Sequence, residues 1–211
     1  MRAPRAIPRV RPALVLAAAL AALAGCASAP ELDAQWANPN ATMPAYLRGA
    51  RILVACDAPD PVVRQICQDQ LAGEVVAHGA SPVHAPREMA YAPDRPVDAQ
   101  LLPQAQAAGA KAMIVMTVAV ALTEVNPSGF TIGFGGFGFG RHSGVGVGAA
   151  VPVGSARATS GYTANGRVTD ATSGHLVWMA RATAPPSADV NGQMAELSRT
   201  VLAAADKAGL F

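Results

Sequence analysis

The sequence predicts an α/β fold, a mixed β-sheet with helices packed on it, extended by a long glycine-rich hairpin or loop. Three observations lead there. Strand-like and helix-like segments alternate from residue 51 to residue 125, an order that favours a parallel or mixed sheet. The run "KAMIVMTVAVALTEV" (111–125) is almost wholly apolar and β-prone, yet too short for a transmembrane helix, so it reads as the long central strand. Near the C-terminus two segments flank the turn "ATSG" (171–174) as an antiparallel hairpin, and a helix with one apolar stripe comes after them.

Taken from the start of the domain, "RILVAC" (51–56) is a short run rich in β-branched residues and reads as a buried strand. Asp60 is a good N-cap, Pro61 suits the first helical position, and Val63, Ile66, Cys67, Leu71 and Val75 recur at helical spacing until Gly79, which predicts a helix over 61–78. "SPVHAP" (81–86) is at most a short edge strand, since its prolines remove ladder donors. Residues 86–98 read as a proline-containing surface loop. "AQLLPQAQAAGA" then reads as a short helix stopped by Gly109, with Pro103 tolerated if it falls in the first turn. After the central strand, "SGYTANGRVTD" and "HLVWMARAT" form the hairpin. Ser187 is positioned to cap a last helix whose Val190, Met194, Leu197, Val201 and Ala205 share one face and which ends at Gly209.

Residues 1–25 have the layout of a secretory signal: Arg2, Arg5, Arg9 and Arg11 precede an apolar stretch shorter than the roughly 20 residues that a bilayer requires. "LAGC" (23–26) resembles the bacterial lipobox. That resemblance implies acylation of Cys26, and Ala27 in place of Asp implies sorting to the outer membrane with the domain facing the periplasm. Several acyl chains on one cysteine give a stable anchor where one chain gives marginal binding. The chain thus divides into a signal peptide (1–25), an acylated N-terminus and tether (26–50) with anchoring points at Trp36 and Tyr46, and a single α/β domain (51–211) carrying a glycine-rich insertion (129–154). The full chain has 16 basic and 14 acidic residues; losing the four signal arginines leaves 12 minus 14, a net charge of −2, which offers no basic surface for nucleic acid.

Two cysteines remain. Cys56 closes the first strand and Cys67 lies in the second turn of the helix after it, so in an oxidising compartment they form either a disulfide or two separately buried thiols. Expectation favours the disulfide.

"QWANP" (35–39), "RQICQD" (64–69), "AAGAKAMIV" and "VTDATSGHLVW", in this order and behind a lipobox, resemble a group of uncharacterised bacterial envelope lipoproteins. The outline is similar to lipoproteins of the curli-secretion and peptidoglycan-synthase-activator kind. The resemblance implies no catalytic residues.

The residues point the same way. "GFGGFG" (Gly133 to Gly138) satisfies G-x-G-x-x-G, but it leads into more glycine and the period-two "GVGVGAAVPV" rather than a helix, so it is not read as a phosphate cradle. His78, His84, His142 and His175 lack metal-ligand spacing, Ser143 and Ser173 lack a nucleophile context, and Trp178 reads as core or cross-strand packing. No cofactor or metal is expected.

The insertion itself, with ten of the twenty glycines and one formal charge at Arg141, reads as a hairpin or loose loop whose arms join the sheet near Val125 and Ala158, with Arg141, His142 and Ser143 at its tip. The expected function is a non-enzymatic, outer-membrane-anchored lipoprotein that contacts the membrane through its lipid and either binds an envelope protein or serves a structural role. The alternatives are a subunit of an oligomeric export pore using the glycine-rich hairpin and an enzyme of unrecognised type. The sequence leaves the oligomeric state open.

Overall fold

The computed structural model describes residues 29–41, 44–86, 91–127, 131–133, 150–152 and 156–211. Six strands form one sheet: β1 (Glu31–Ala37), β2 (Arg51–Asp57), β3 (Ser81–His84), β4 (Ala112–Pro127), β7 (Ala156–Asp170) and β8 (Leu176–Thr183), in the order β1-β8-β7-β4-β2-β3. The pairs of β2 with β3 and with β4 are parallel, whereas β4–β7, β7–β8 and β1–β8 are antiparallel, so the sheet is mixed. Two short strands, β5 (Thr131–Gly133) and β6 (Ala150–Pro152), pair antiparallel beyond the ends of β4 and β7. Among the described residues no helix is long and apolar enough to cross a membrane.

Helices α1 (Pro61–Ala77) and α3 (Val190–Lys207) lie together on one face of the sheet and α2 (Val97–Ala107) lies on the other. The Asp60 carboxylate accepts from the backbone N–H of Val62 (2.7 Å) and Val63 (3.3 Å), which holds the start of α1. Its apolar stripe, Val63, Cys67, Leu71 and Val75, is buried against Ile52, Val54 and Cys56 of β2. On α3, Met194, Leu197, Val201 and Ala205 are likewise buried. A Cβ added at Gly166 of β7 would collide with Val201, so that glycine sets how closely α3 approaches the sheet. Gly79, Gly109 and Gly209, which come just after the three helices, all have φ between 63° and 88°, the left-handed conformation that ends a helix at little cost only in glycine.

Three expectations are corrected. The stretch 26–50, read as a tether, contains the edge strand β1, whose Trp36 pairs with Met179 and whose Glu31 pairs with Thr183. Its neighbour Leu47 is buried and donates its N–H to the Leu210 carbonyl at 2.6 Å, so the segment is part of the domain. Helix α2 begins at Val97, earlier than expected, which places Pro103 in its interior. That is tolerated because Pro103 and Ala99, the residue whose carbonyl loses a partner, both face solvent. Helix α3 is capped by Asp189 rather than Ser187: Asp189 accepts from Gly192 N–H at 2.9 Å, while Ser187 is held in a bridge to Ser160 of β7. A residue fixed in a bridge cannot turn into a helix.

Candidate functional site

Helix α2 covers less of its face than α1 and α3 cover of theirs. It buries Leu53 and Ala55 of β2 and Met113 and Val115 of β4 under Leu101 and Ala105, and among the described residues no helix covers β7, β8 and β1 on that side. The sequence of β7 anticipates this. In "TANGRV" (163–168) the small and apolar Ala164, Gly166 and Val168 face α3, leaving Thr163, Asn165 and Arg167 on the open side. Register places Thr183, Arg181 and Met179 of β8 beside them, with Trp36 of β1 next to Met179. The result is a polar sheet surface on which Arg167 and Arg181 are each paired with a carboxylate, Asp98 and Asp33, with a half-exposed tryptophan at its edge.

Where this surface meets α2, at the carboxyl end of β2 and beside the middle of β4, where their parallel pairing stops, there is a cleft of about 540 Å³ lined by Asp57, Tyr91, Arg95, Asp98, Thr117 and Arg167 among others. The carboxyl ends of parallel strands in open α/β sheets are where ligands are commonly received. Asp98 is buried and accepts from the Thr169 hydroxyl at 2.9 Å, and its second contact is Arg167, whose Nε lies 3.0 Å from Oδ2 as an ion pair without hydrogen-bond alignment. The amide of Gln100 ties down the loop before the helix, accepting from Ala92 N–H at 2.8 Å and donating to the Ala92 and Arg95 carbonyls. Burial, with the charge of Asp57 added and Arg64 opposing, raises the Tyr91 hydroxyl above its ordinary pKa, so it remains a neutral donor at the cleft wall. The cleft therefore holds a neutral hydroxyl, an internally paired Asp98–Arg167 and a second carboxylate. That arrangement suits hydrogen-bonded recognition.

A second polar cluster gathers around Asp170, the last residue of β7. Tyr46 donates its hydroxyl to Asp170, and Lys111 Nζ sits 4.5 Å from the centre of the Tyr46 ring. Asp170 Oδ1 also accepts from Thr172 N–H (3.0 Å), Ser173 N–H (2.7 Å) and the Ser173 hydroxyl (2.8 Å). Burial acts to raise the Asp170 pKa, but the hydrogen bonds from Tyr46, Ser173 and Thr172 outweigh it and hold the carboxyl below its ordinary value. Burial and then the bond to Asp170 push the Tyr46 hydroxyl upward. Asp170 Oδ1 is engaged in holding the turn and Oδ2 in holding Tyr46 of the 44–50 segment, so this cluster reads as a structural lock.

The residues singled out in the sequence scatter rather than converge. Cys56 and Cys67 are joined, with their Cα atoms 6.0 Å apart and both side chains buried in the α1 layer. His78 is the C-terminal cap residue of α1, with its ring 5.0 Å from Phe211; His84 lies on edge strand β3 and His175 sits just past the β7–β8 turn. Ser173 belongs to the Asp170 turn, and Trp178 is buried in the core. Among the described residues no three His, Cys, Asp or Glu side chains are grouped to hold a metal. Cys26, Arg141, His142, Ser143 and most of "GFGGFG" lie outside the described residues; Gly133 is in β5, paired with Ala150. The Asp98–Arg167–Thr169 cluster escaped sequence reasoning because its members are up to 71 residues apart. The alternation of β7 was the one local signal that pointed to it.

No protein-family model matches the chain, and no curated protein matches it. Two similar solved structures are the PelC dodecamer from Paraburkholderia phytofirmans, at 14% identity and a TM-score of 0.52 over 83% of this chain and 96% of that one, and lipoprotein GNA1162 from Neisseria meningitidis, at 17% identity and a TM-score of 0.42 over 75% of this chain and 99% of that one. The likeness to PelC establishes a shared fold.

Proposed function

We propose that this chain is a non-enzymatic lipoprotein of the bacterial envelope, held to the outer membrane by acyl chains on Cys26 with its domain in the periplasm, and that it binds an envelope partner or serves a structural role there. The "LAGC" sequence supports the anchor, and a disulfide between Cys56 and Cys67 suits an oxidising compartment. The observation that carries the binding role is the half-covered sheet, whose Asn165, Arg167 and Arg181 stand on a face that no helix among the described residues covers. Cys26→Ala should release a soluble periplasmic protein, and unchanged membrane fractionation would sink the anchor. A photo-crosslinking residue at position 181 should capture a partner in intact envelopes, whereas one at position 65 of α1 should not; equal capture from both positions would remove the open face as the binding surface.

A second reading, a subunit of an oligomeric export assembly, is favoured by the likeness to a protein solved as a dodecamer and by the β4–β7 strand pair that continues past the rest of the sheet. Native mass spectrometry of the detergent-extracted protein separates the two: a large closed ring supports the subunit, and a monomer or dimer supports the binder.

A further inference from the structure

Two features leave the domain at the same end. Strand β1 begins at Glu31, opposite Thr183 of β8; Thr183 lies opposite Thr163 of β7, and Thr163 opposite Ala119 of β4. At that level the rest of the sheet stops, while β4 and β7 stay paired as far as Pro127 and Ala156. Just beyond it Val120 and Leu122, set on opposite faces of the β4–β7 pair by the irregularity between them, are 57% and 54% exposed, and Leu122 shares a shallow cavity with Ala29, Glu31, Asp33 and Pro185. Ala29 is three residues from Cys26, and an extended chain of that length reaches about 11 Å at most.

We propose that this end of the sheet rests on the phospholipid leaflet that holds the acyl chains, with Val120 and Leu122 at the boundary between headgroups and acyl chains. The inference depends on acylation of Cys26. Given that anchor, the short link leaves Leu122 no room to stand far from the bilayer, and a weak apolar contact then suffices because tethering makes it intramolecular. The charges at this end fit a headgroup depth: Asp33 accepts from the Thr183 hydroxyl at 2.7 Å and lies 3.6 Å from Arg181 Nε, while exposed Glu31 opposes deeper entry, as does Glu124, two positions past Leu122 along β4. The contact orients the domain, turning the Asp170 turn at the far end away from the membrane.

The test uses the full acylated protein in vesicles of phosphatidylethanolamine and phosphatidylglycerol, with nitroxide labels on Val120→Cys, Leu122→Cys and, at the far end, Ser173→Cys, attached without reductant. Vesicle binding should raise oxygen collisions and suppress collisions with a water-soluble nickel chelate at 120 and 122, and leave 173 unchanged. Bound protein whose labels at 120 and 122 meet nickel as freely as the label at 173 would overturn the proposal. Labels equally shielded in lipid-free Cys26→Ala protein would also overturn it, since another copy or another part of the chain would then cover the patch. Intact mass distinguishes failure of the premise: a protein without acyl mass defeats the anchor reading and this inference with it.

Discussion

Strand β4 contains two halves that look alike in sequence and differ in environment. In "AMIVMTV" (112–118) every residue but Thr117 is buried: Ile114, Met116 and Val118 lie under α1 and α3, and Met113 and Val115 under α2. In "AVALTEV" (119–125) the composition is still mostly apolar, yet residues 119–123 are exposed. The transition occurs at one level of the sheet, near Val118, with an irregularity in the β4–β7 ladder between Val120 and Leu122. Burial in a sheet is conferred by what lies across its faces, and here the helices end before the strand does. Among the described residues nothing covers the exposed half.

Stability measurements should separate these halves, beginning with the largest difference. Met116→Ala removes a buried side chain from between two layers and should cost about 3 kcal/mol in chemical denaturation, whereas Val120→Ala should stay within about 0.5 kcal/mol. Equal costs would mean that Val120 is covered in the working protein, and a larger cost in vesicles than in solution would sharpen the membrane reading.

The next effect lies in the covered region. Replacing Cys56 and Cys67 together with Ala should lower stability by about 3 kcal/mol, because the crosslink joins β2 to α1 across 11 residues. Mass spectrometry of non-reduced protein should find the two cysteines in one crosslinked peptide, and two thiols alkylated without reductant would be the contrary result. At the border between covered and open surface, Arg167→Ala leaves Asp98 buried without its ion-pair partner. The cost should be about 2 kcal/mol, below that of a fully buried pair because the Arg167 side chain is 38% exposed.

The start of β4 carries a pH signature. Ala112 lies opposite Asp170, whose folded pKa sits below its unfolded value of about 3.9. Such a carboxylate stabilises the fold above that value and loses its contribution as pH falls through the folded pKa. Tyr46, raised in the folded state, contributes fully below its unfolded value of about 10 and loses that contribution as pH rises further. Tyr46→Phe should therefore flatten both ends of a Tm-against-pH curve, at a cost near neutral pH of about 1 kcal/mol. An unchanged acid limb would show that the Tyr46 bond does not govern Asp170. The smallest effect should come from replacing residues 129–154 with a short turn, which should leave the fold and Tm nearly unchanged. Loss of folding on that replacement would show that the distal half of β4 depends on the insertion.

The fold class, the order of elements, the central place of β4 and the three helix stops were legible in the sequence because each rests on local rules: periodicity, capping and glycine at positive φ. So was the junction of the insertion with the sheet, since Val125 and Ala158 are paired. The beginning of the domain was misread. β1 has no strong strand pattern of its own, and it exists because β8 offers an open edge to pair with. The candidate cleft was likewise hidden, for Asp57, Tyr91, Asp98 and Arg167 come from four separate segments and meet where β2 ends beside the middle of β4. What the sequence determined by itself was which residues form strands and helices and which way each apolar stripe faces. Only the tertiary structure decided how far the helices reach over the sheet, and so where apolar side chains remain uncovered, because that limit depends on contacts between residues far apart in the chain.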